Sequence, residues 1–291
     1  MEILPNKEIV DLALYFDSTL VIADVHIGYE EALNKQGVLV PRLQFEEMVK
    51  RMENIFSILR NKRIEKLIVN GDLKHEFGTI SEQEWRNTLK FLDLLAKHCN
   101  EIVLVKGNHD SILGPIAKKR NVKVVDYCVV DSITPKPNKQ KSIIKNSRMR
   151  ELVVACENAS HARVHLSLSL SYPNSLTIDT KSKKTLIIHG NKIPNNEVLK
   201  EVSTIVIGHE HPAVSLKEGP RVEQYKCFLK GKYKGKNLIV LPSFNAIVEG
   251  TDILRDKILS PFLQQNLDNF DVFIVEDKVY EFGKLKGMRK D

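Results

Sequence analysis

The chain has 291 residues, 42% of them apolar and 28% charged, and carries a formal charge of +7; this is an ordinary globular balance, not a disordered or fibrous one. No uninterrupted apolar run approaches the roughly 20 residues a membrane helix needs, and Met1-Glu2-Ile3-Leu4-Pro5-Asn6-Lys7 lacks the basic-then-apolar plan of a signal peptide. Cys99, Cys128, Cys156 and Cys227 are far apart and form no Cys-x-x-Cys pair, so the expectation is a reduced, cytoplasmic protein with no disulfide framework, no zinc knuckle and no membrane attachment.

In the N-terminal half, strand-like and helix-like stretches alternate. Ile9–Phe16 and Thr19–Ala23 are short apolar runs, and the second ends at Asp24. Pro41 opens a predicted helix to about Asn61, with Phe45, Met48, Met52, Phe56 and Leu59 at helical spacing. Lys66–Asn70 is a buried-strand run leading into Gly71-Asp72. Ser81 with Glu84 predicts a capping box, and Trp85, Leu89 and Leu92 continue one helix face. Ile102–Val105 is another strand, running into Gly107-Asn108-His109.

The positive charge is concentrated in the next stretch. Residues 132–184 hold ten Lys/Arg against three Asp/Glu, and the rest of the chain is balanced at 34 of each sign. This stretch begins with the polar, proline-broken Thr134–Lys141 and later contains the alternating Ser167-Leu168-Ser169-Leu170-Ser171. A structureless connection of this length is unusual inside a compact domain, so the expectation is one domain over residues 1–291 with a basic insertion at about 132–184.

The C-terminal half is richer in strands. Thr185–Ile188 leads into His189, and Thr204–Ile207 into Gly208-His209. Further strands are predicted at Ala213–Leu216, Gln224–Leu229, Leu238–Leu241, Val272–Val275 and Val279–Phe282. Lys230-Gly231-Lys232 and Lys234-Gly235-Lys236 read as tight turns between antiparallel strands. Strands alternating with helices give α/β layers, with ligands at the carboxyl ends of the strands.

Five segments at predicted strand ends hold Asp, Asn or His: Asp24-Val25-His26, Gly71–His75, Gly107–Asp110, His189-Gly190 and Gly208–His211. They contain six of the nine histidines. Asp24 and His26 are two apart, as are His209 and His211, and side chains at i and i+2 of a strand share a face, so each pair could reach one ion. One Asp-x-His is a weak signal; the ordered set of five is a strong one. Mixed Asp/Asn/His ligation suits Mn²⁺, Fe²⁺ or Zn²⁺ better than Ca²⁺. Two such ions roughly 3.5–4 Å apart can clamp a phosphoryl group and turn a bridging water into hydroxide, and Asp72 is the natural shared carboxylate.

Through all five motifs, in order, the chain resembles the calcineurin-like metallophosphoesterase superfamily. The resemblance implies a four-layer α/β/β/α sandwich of two mixed sheets flanked by helices. It implies a first metal held by Asp24, His26, Asp72 and His211, and a second held by Asp72, Asn108, His189 and His209. Mn²⁺ is the first choice, with Fe²⁺, Zn²⁺ and Mg²⁺ as alternatives. It also implies that His109 faces the substrate and protonates the leaving oxygen, with Asp110 orienting it.

The strings Ala23–Glu30, Gly71–Gly78, Gly208–Pro212 and Pro242–Asn245 are similar to those of the archaeal SbcD-related phosphoesterases, whose bacterial relatives are linked to DNA ligases and helicases. In that reading His75 is a second active-site histidine, the substrate is a phosphodiester of DNA, RNA or a nucleotide, and DNA-repair proteins are the partners. Two departures argue against processive cleavage of duplex DNA. The insertion stretches the path to His189, and the chain ends soon after the core, without the capping and coiled-coil regions of full SbcD-type nucleases.

Blander readings stand beside these. His75 could simply hydrogen-bond within its loop, Tyr29 and Glu30 could line the cleft or cap the next helix, and Glu210 could either support the neighbouring ligands or be an exposed residue between them. Ser243 and Asn245 are read as braces for the His209/His211 loop, and His98, His161 and His165 as surface or packing residues. The rival functions are a phosphomonoesterase or small cyclic-nucleotide phosphodiesterase, favoured by the charge-neutral body of the chain, and a silent binding scaffold, disfavoured by the complete ligand set.

Overall fold

The computed structural model describes residues 1–77, 80–111, 113–131 and 184–289. The basic insertion up to residue 183, with the Ser167–Ser171 alternation, His161, His165 and Cys156, lies outside the described residues.

The first sheet has seven strands in chain order: β1 (Glu2–Leu4), β2 (Lys7–Val10), β3 (Ala13–Phe16), β4 (Thr19–Ala23), β5 (Lys66–Asn70), β6 (Glu101–Val105) and β7 (Lys123–Val125). β1 to β4 form an antiparallel meander. β4 to β7 run parallel, because helical crossovers return the chain to the same edge each time. Those crossovers contain α1 (Tyr29–Lys35), α2 (Gln44–Ile58), α3 (Glu82–Ala96) and α4 (Gly114–Arg120). β4 is buried at all five positions, as a strand covered on both faces must be.

The second sheet adds β8 (Tyr127–Asp131), β9 (Lys184–Ile188), β10 (Val202–Ile207), β11 (Pro212–Glu218), β12 (Arg221–Tyr233), β13 (Lys236–Val240) and β14 (Thr251–Asp252), in the order β14-β11-β12-β13-β10-β9-β8. β15 (Asp271–Val275) pairs with β12 and with β16 (Val279–Lys284). The helices α5 (Asn196–Glu201) and α6 (Leu285–Met288) complete the chain.

One apolar cluster joins the two sheets: Ile22, Ile68 and Leu104 of the first belong with Val206, Phe228, Ile239 and Phe273 of the second. A second cluster, with Ile205, Ile207, Val240, Phe262 and Leu285, covers the opposite face of the second sheet. The result is the expected α/β architecture of two mixed sheets flanked by helices. No helix among the described residues is long and apolar enough to cross a membrane.

Three local expectations are corrected. The run Ile9–Phe16 is two strands, because Asp11 adopts φ 54° and turns the chain between β2 and β3. The helix predicted from Pro41 begins at Gln44, whose side chain and backbone are held by Glu30 and the His26 carbonyl. Lys230-Gly231-Lys232 is no turn: Gly231 pairs with Leu238 inside β12. The turn is Lys234-Gly235 alone, where both residues have positive φ, the geometry a two-residue hairpin needs.

Candidate metal centre

The carboxyl ends of β4, β5, β6, β9 and β10 deliver all five motifs to one place. Hydrogen bonding continues past the strand ends: Asp24 N–H donates to Gly71 O, Gly71 N–H to Val105 O, and Gly208 N–H to His189 O. The sheets are also tied directly, by Phe244 N–H to Ala23 O and by Asn70 Nδ2 to Ile188 O at 3.1 Å.

Two groups of donor atoms form there, Asp24/His26/His211 and Asp72/His189/His209, each within 4.8 Å of one another. His26 Nε2 lies 3.4 Å from His211 Nε2, and His211 Nε2 lies 3.3 Å from Asp24 Oδ1. In the other group His189 Nε2 is 2.9 Å from Asn108 Oδ1, 3.2 Å from His209 Nδ1 and 3.4 Å from Asp72 Oδ2. The same Asp72 oxygen is 3.9 Å from His26 Nε2, so it faces both groups.

These residues fit a pair of divalent cations. One imidazole nitrogen can supply at most one proton, yet His189 Nε2 faces three lone-pair donors. Asp24 Oδ1 is buried with no hydrogen-bond partner, between His211 Nε2 at 3.3 Å and His189 Nδ1 at 3.5 Å, a cost that a polar atom avoids unless a ligand satisfies it. Donors around an ion at roughly 2.0–2.2 Å are themselves spaced by about 3 Å, which matches the separations above.

Electrostatics divide the set. Burial, then the charge of His211, holds His26 down to about 3; burial and His189 hold His209 down to about 4. Both therefore present neutral rings. Burial pulls His189 the same way, but its bond to Asp72 and the charges of Asp24 and Asp72 outweigh it and push its pKa up to about 9. Burial would raise Asp24 and Asp72, yet the imidazoles around them keep both below the usual carboxylate range.

The geometry does not come from strand pleating. Asp24 and His26 lie beyond β4, and His209 and His211 lie between β10 and β11. Asp24, His26, Asp72, His209 and His211 all have φ between 44° and 64°, a left-handed region that Asp and His tolerate better than most residues and that concentrates at functional sites. Hence the i, i+2 argument holds for Asp24 and His26 only by way of a kinked backbone, and it fails for the second pair: His209 and His211 face different groups.

His109 is half-buried. Its Nδ1–H donates to the His75 carbonyl at 2.5 Å, and its backbone N–H donates to Asp72 Oδ1 at 2.8 Å. The expected orienting partner, Asp110, does something else. Its carboxylate accepts the N–H groups of Leu73 (3.1 Å) and Gly107 (3.0 Å), binding the Asp72 loop to the Asn108 turn. Burial, reinforced by Asp72, raises its pKa to about 6. His75 Nδ1 sits 3.4 Å from His26 Nδ1, where it can accept the proton on the ring nitrogen that His26 does not aim at the donor cluster.

Some of the supporting residues differ from expectation. Ser243 and Asn245 brace the first motif, not the last: Ser243 Oγ donates to Asp24 O at 2.7 Å, and Asn245 Nδ2 donates to Val25 O and His26 O. Glu210 is fully buried and accepts the N–H groups of Leu259 and Ser260. Tyr29 packs its ring on His75, with centroids 4.6 Å apart, while Glu30 is buried and accepts the Gln44 N–H. His98 stacks on Phe56. Glu84 closes the capping box and also accepts the N–H groups of His75 and Glu76, a second role to which the box gave no clue. Lys226, overlooked in the sequence, donates to the carbonyls of Ser243 and Asn245; a lysine mid-strand carries no local sign of such a task.

The sequence profile of the calcineurin-like phosphoesterase family matches residues 18–240. Among solved structures, Pseudomonas putida nuclease MPE is similar at 18% identity, covering 94% of this chain and 92% of its own, with a TM-score of 0.51. Aquifex aeolicus AQ665, a protein of unknown function, is 17% identical over 66% of this chain and 78% of its own, with a TM-score of 0.33. A predicted phosphoesterase of Streptococcus pneumoniae TIGR4 is 13% identical over 91% and 97%, with a TM-score of 0.31. No curated protein matches the chain significantly.

Proposed function

The chain belongs to the calcineurin-like phosphoesterase family of metal-dependent phosphoric ester hydrolases, and from that premise we propose that it is an SbcD-related phosphodiesterase acting on nucleic acid or nucleotides. The observation that carries the reading is the single Asp72 carboxylate shared by two donor groups, with Asp24 Oδ1 buried and without a hydrogen-bond partner in the first of them. Asp24, His26, Asp72 and His211 would hold one cation, and Asp72, Asn108, His189 and His209 the other; the mixed donor set suits Mn²⁺, Fe²⁺ or Zn²⁺, and the family resemblance favours Mn²⁺. When bound, the two ions supply Lewis acidity toward the phosphoryl oxygens and ease deprotonation of water.

The chain's own groups do the rest. With Nδ1 committed to the His75 carbonyl, His109 keeps Nε2 for the substrate. A hydroxide oxygen forms the new bond to phosphorus while the bond to the leaving oxygen breaks. That oxygen departs as an alcohol with the proton from Nε2 of the His109 imidazolium. No covalent enzyme intermediate is required. The Gly71-Asp72-Leu73-Lys74-His75 string supports the SbcD-related branch, and so does the fold shared with a protein named as a nuclease. The same branch makes DNA-repair proteins its partners, and the free cysteines Cys99, Cys128 and Cys227 suit a reducing cytoplasm.

The test is a metal-supplemented panel run side by side: single-stranded DNA, duplex DNA, 2′,3′-cyclic nucleotides and a phosphomonoester. Hydrolysis of a diester with Mn²⁺, at rates well above the monoester, is the expected result. Turnover of the monoester alone overturns the reading in favour of a phosphomonoesterase, for which the balanced charge outside residues 132–184 speaks.

A further inference from the structure

We propose that Phe77 forms a stacking subsite for the nucleobase of the nucleoside that departs as the leaving group; the subsite rests on the phosphodiesterase reading above. Four rings form a continuous run beside the donor cluster. Tyr29 meets His75 edge-on at 4.6 Å, His75 stacks on His109 at 5.3 Å, and Phe77 lies against His109 at 3.7 Å with 34° between the planes. The run begins at the centre itself, since the His26 ring is 5.0 Å from that of His109. It ends in hydrocarbon: Phe77 is 60% exposed.

A scattered exposed phenylalanine is unremarkable. This one is held against the imidazole assigned to the leaving oxygen, so whatever is bonded to that oxygen emerges at its ring. A nucleobase offers a flat π-face of matching size, and such stacking tolerates any base. Among the described residues, Lys35 is paired with Glu76 at 3.2 Å and Lys74 Nζ donates to the Glu76 carbonyl, so both lysines beside this loop are already engaged. The recognition at this point is therefore of an aromatic base and not of a further phosphate. Substrates whose leaving group lacks a base forgo it.

The experiment compares the dinucleotide TpT with two analogues, each carrying a tetrahydrofuran residue in place of one thymine. Wild type and the Phe77→Ala and Phe77→Trp proteins are assayed with Mn²⁺, reading kcat/KM from product release. Removing the leaving-side thymine should cost wild type and Phe77→Trp about tenfold or more, and Phe77→Ala less than about threefold, a coupling that isolates the pair. If Phe77→Ala slows all three substrates equally, Phe77 only packs His109 and the subsite is refuted. Coupling to the other thymine also refutes it. If wild type cleaves none of the dinucleotides with any divalent metal, the phosphodiesterase reading itself falls, a result distinct from either of these.

Discussion

Asp24 Oδ2 accepts the backbone N–H of His209 at 2.9 Å, so a carboxylate at the end of β4 in one sheet fixes the loop that follows β10 in the other. Asp72 does the same for the turn after β6, accepting the His109 N–H at 2.8 Å. Each carboxylate thus uses one oxygen to pin a neighbouring loop and turns the other into the donor cluster. The donor cluster is held together by its own carboxylates.

Glycine makes both contacts possible. A Cβ at Gly208 would lie 2.4 Å from Asp24 Oδ2, and one at Gly107 would lie 2.0 Å from Asp72 Oδ1. Gly208→Ala and Gly107→Ala are therefore expected to displace the carboxylates, lowering metal affinity by about tenfold to a hundredfold. The far-UV circular dichroism should stay native. Metal titration checks this, and wild-type affinity in either variant would contradict it.

Asp72 and His109 should fail in different ways. Asp72→Asn should abolish hydrolysis of bis-p-nitrophenyl phosphate and reduce bound metal from two equivalents per chain. His109→Ala should keep both equivalents and lose about 10²–10⁴-fold in rate on a diester with an alcohol leaving group. Its loss on bis-p-nitrophenyl phosphate should be smaller, because that leaving group needs little protonation. Elemental analysis beside the two assays separates the roles. Full activity in Asp72→Asn would sink the metal mechanism.

Glu210 links the His209/His211 loop to residues 259–260 through two N–H···carboxylate bonds, the one from Ser260 buried and the one from Leu259 partly so. Glu210→Ala orphans both donors, at a cost of about 1–3 kcal/mol each when buried. The expected fall in Tm is roughly 5–10 °C. A Tm within 1 °C of wild type, a margin of about a few tenths of a kcal/mol, would show that water satisfies the loop instead.

Lys7 is 5% exposed, its ammonium 3.9 Å above the Phe16 ring. Burial lowers its pKa to about 8, against a smaller upward pull from Asp17. The unfolded chain therefore binds this proton more tightly than the folded one, and stability rises with pH between about 8 and the ordinary lysine value. Below pH 8 the charge is an unrelieved burden on the fold. Lys7→Met should raise Tm by a few degrees at pH 6.5 and by less at pH 9.5. Thermal melts at the two pH values decide it, and an equal change at both would contradict the argument.

The candidate donor residues were legible because metal chemistry restricts such sites to few residue types, and strand ends mark their places. Asp24, His26, Asp72, Asn108, His189, His209 and His211 all converge as their motifs imply. What failed was the local geometry assigned to them. Period-2 reasoning placed His209 and His211 on one ion, but φ values of 64° and 50° send them to different groups. It also joined β2 to β3 across Asp11. Left-handed residues break the alternation, and nothing in residue type alone says where they occur.

The sequence by itself determined the fold class, the donor set and the family, since hydrophobic runs and ligand types are written locally. Only the tertiary structure decided who supports whom. Asp110 braces the Asp72 loop while the His75 carbonyl takes the His109 proton, and Ser243 and Asn245 hold the first motif from 219 and 220 residues away. Such pairings follow from packing two sheets face to face, which brings their strand ends to one place. A linear chain carries no signal for them, because any buried hydroxyl or amide can satisfy any carbonyl that folding brings within reach.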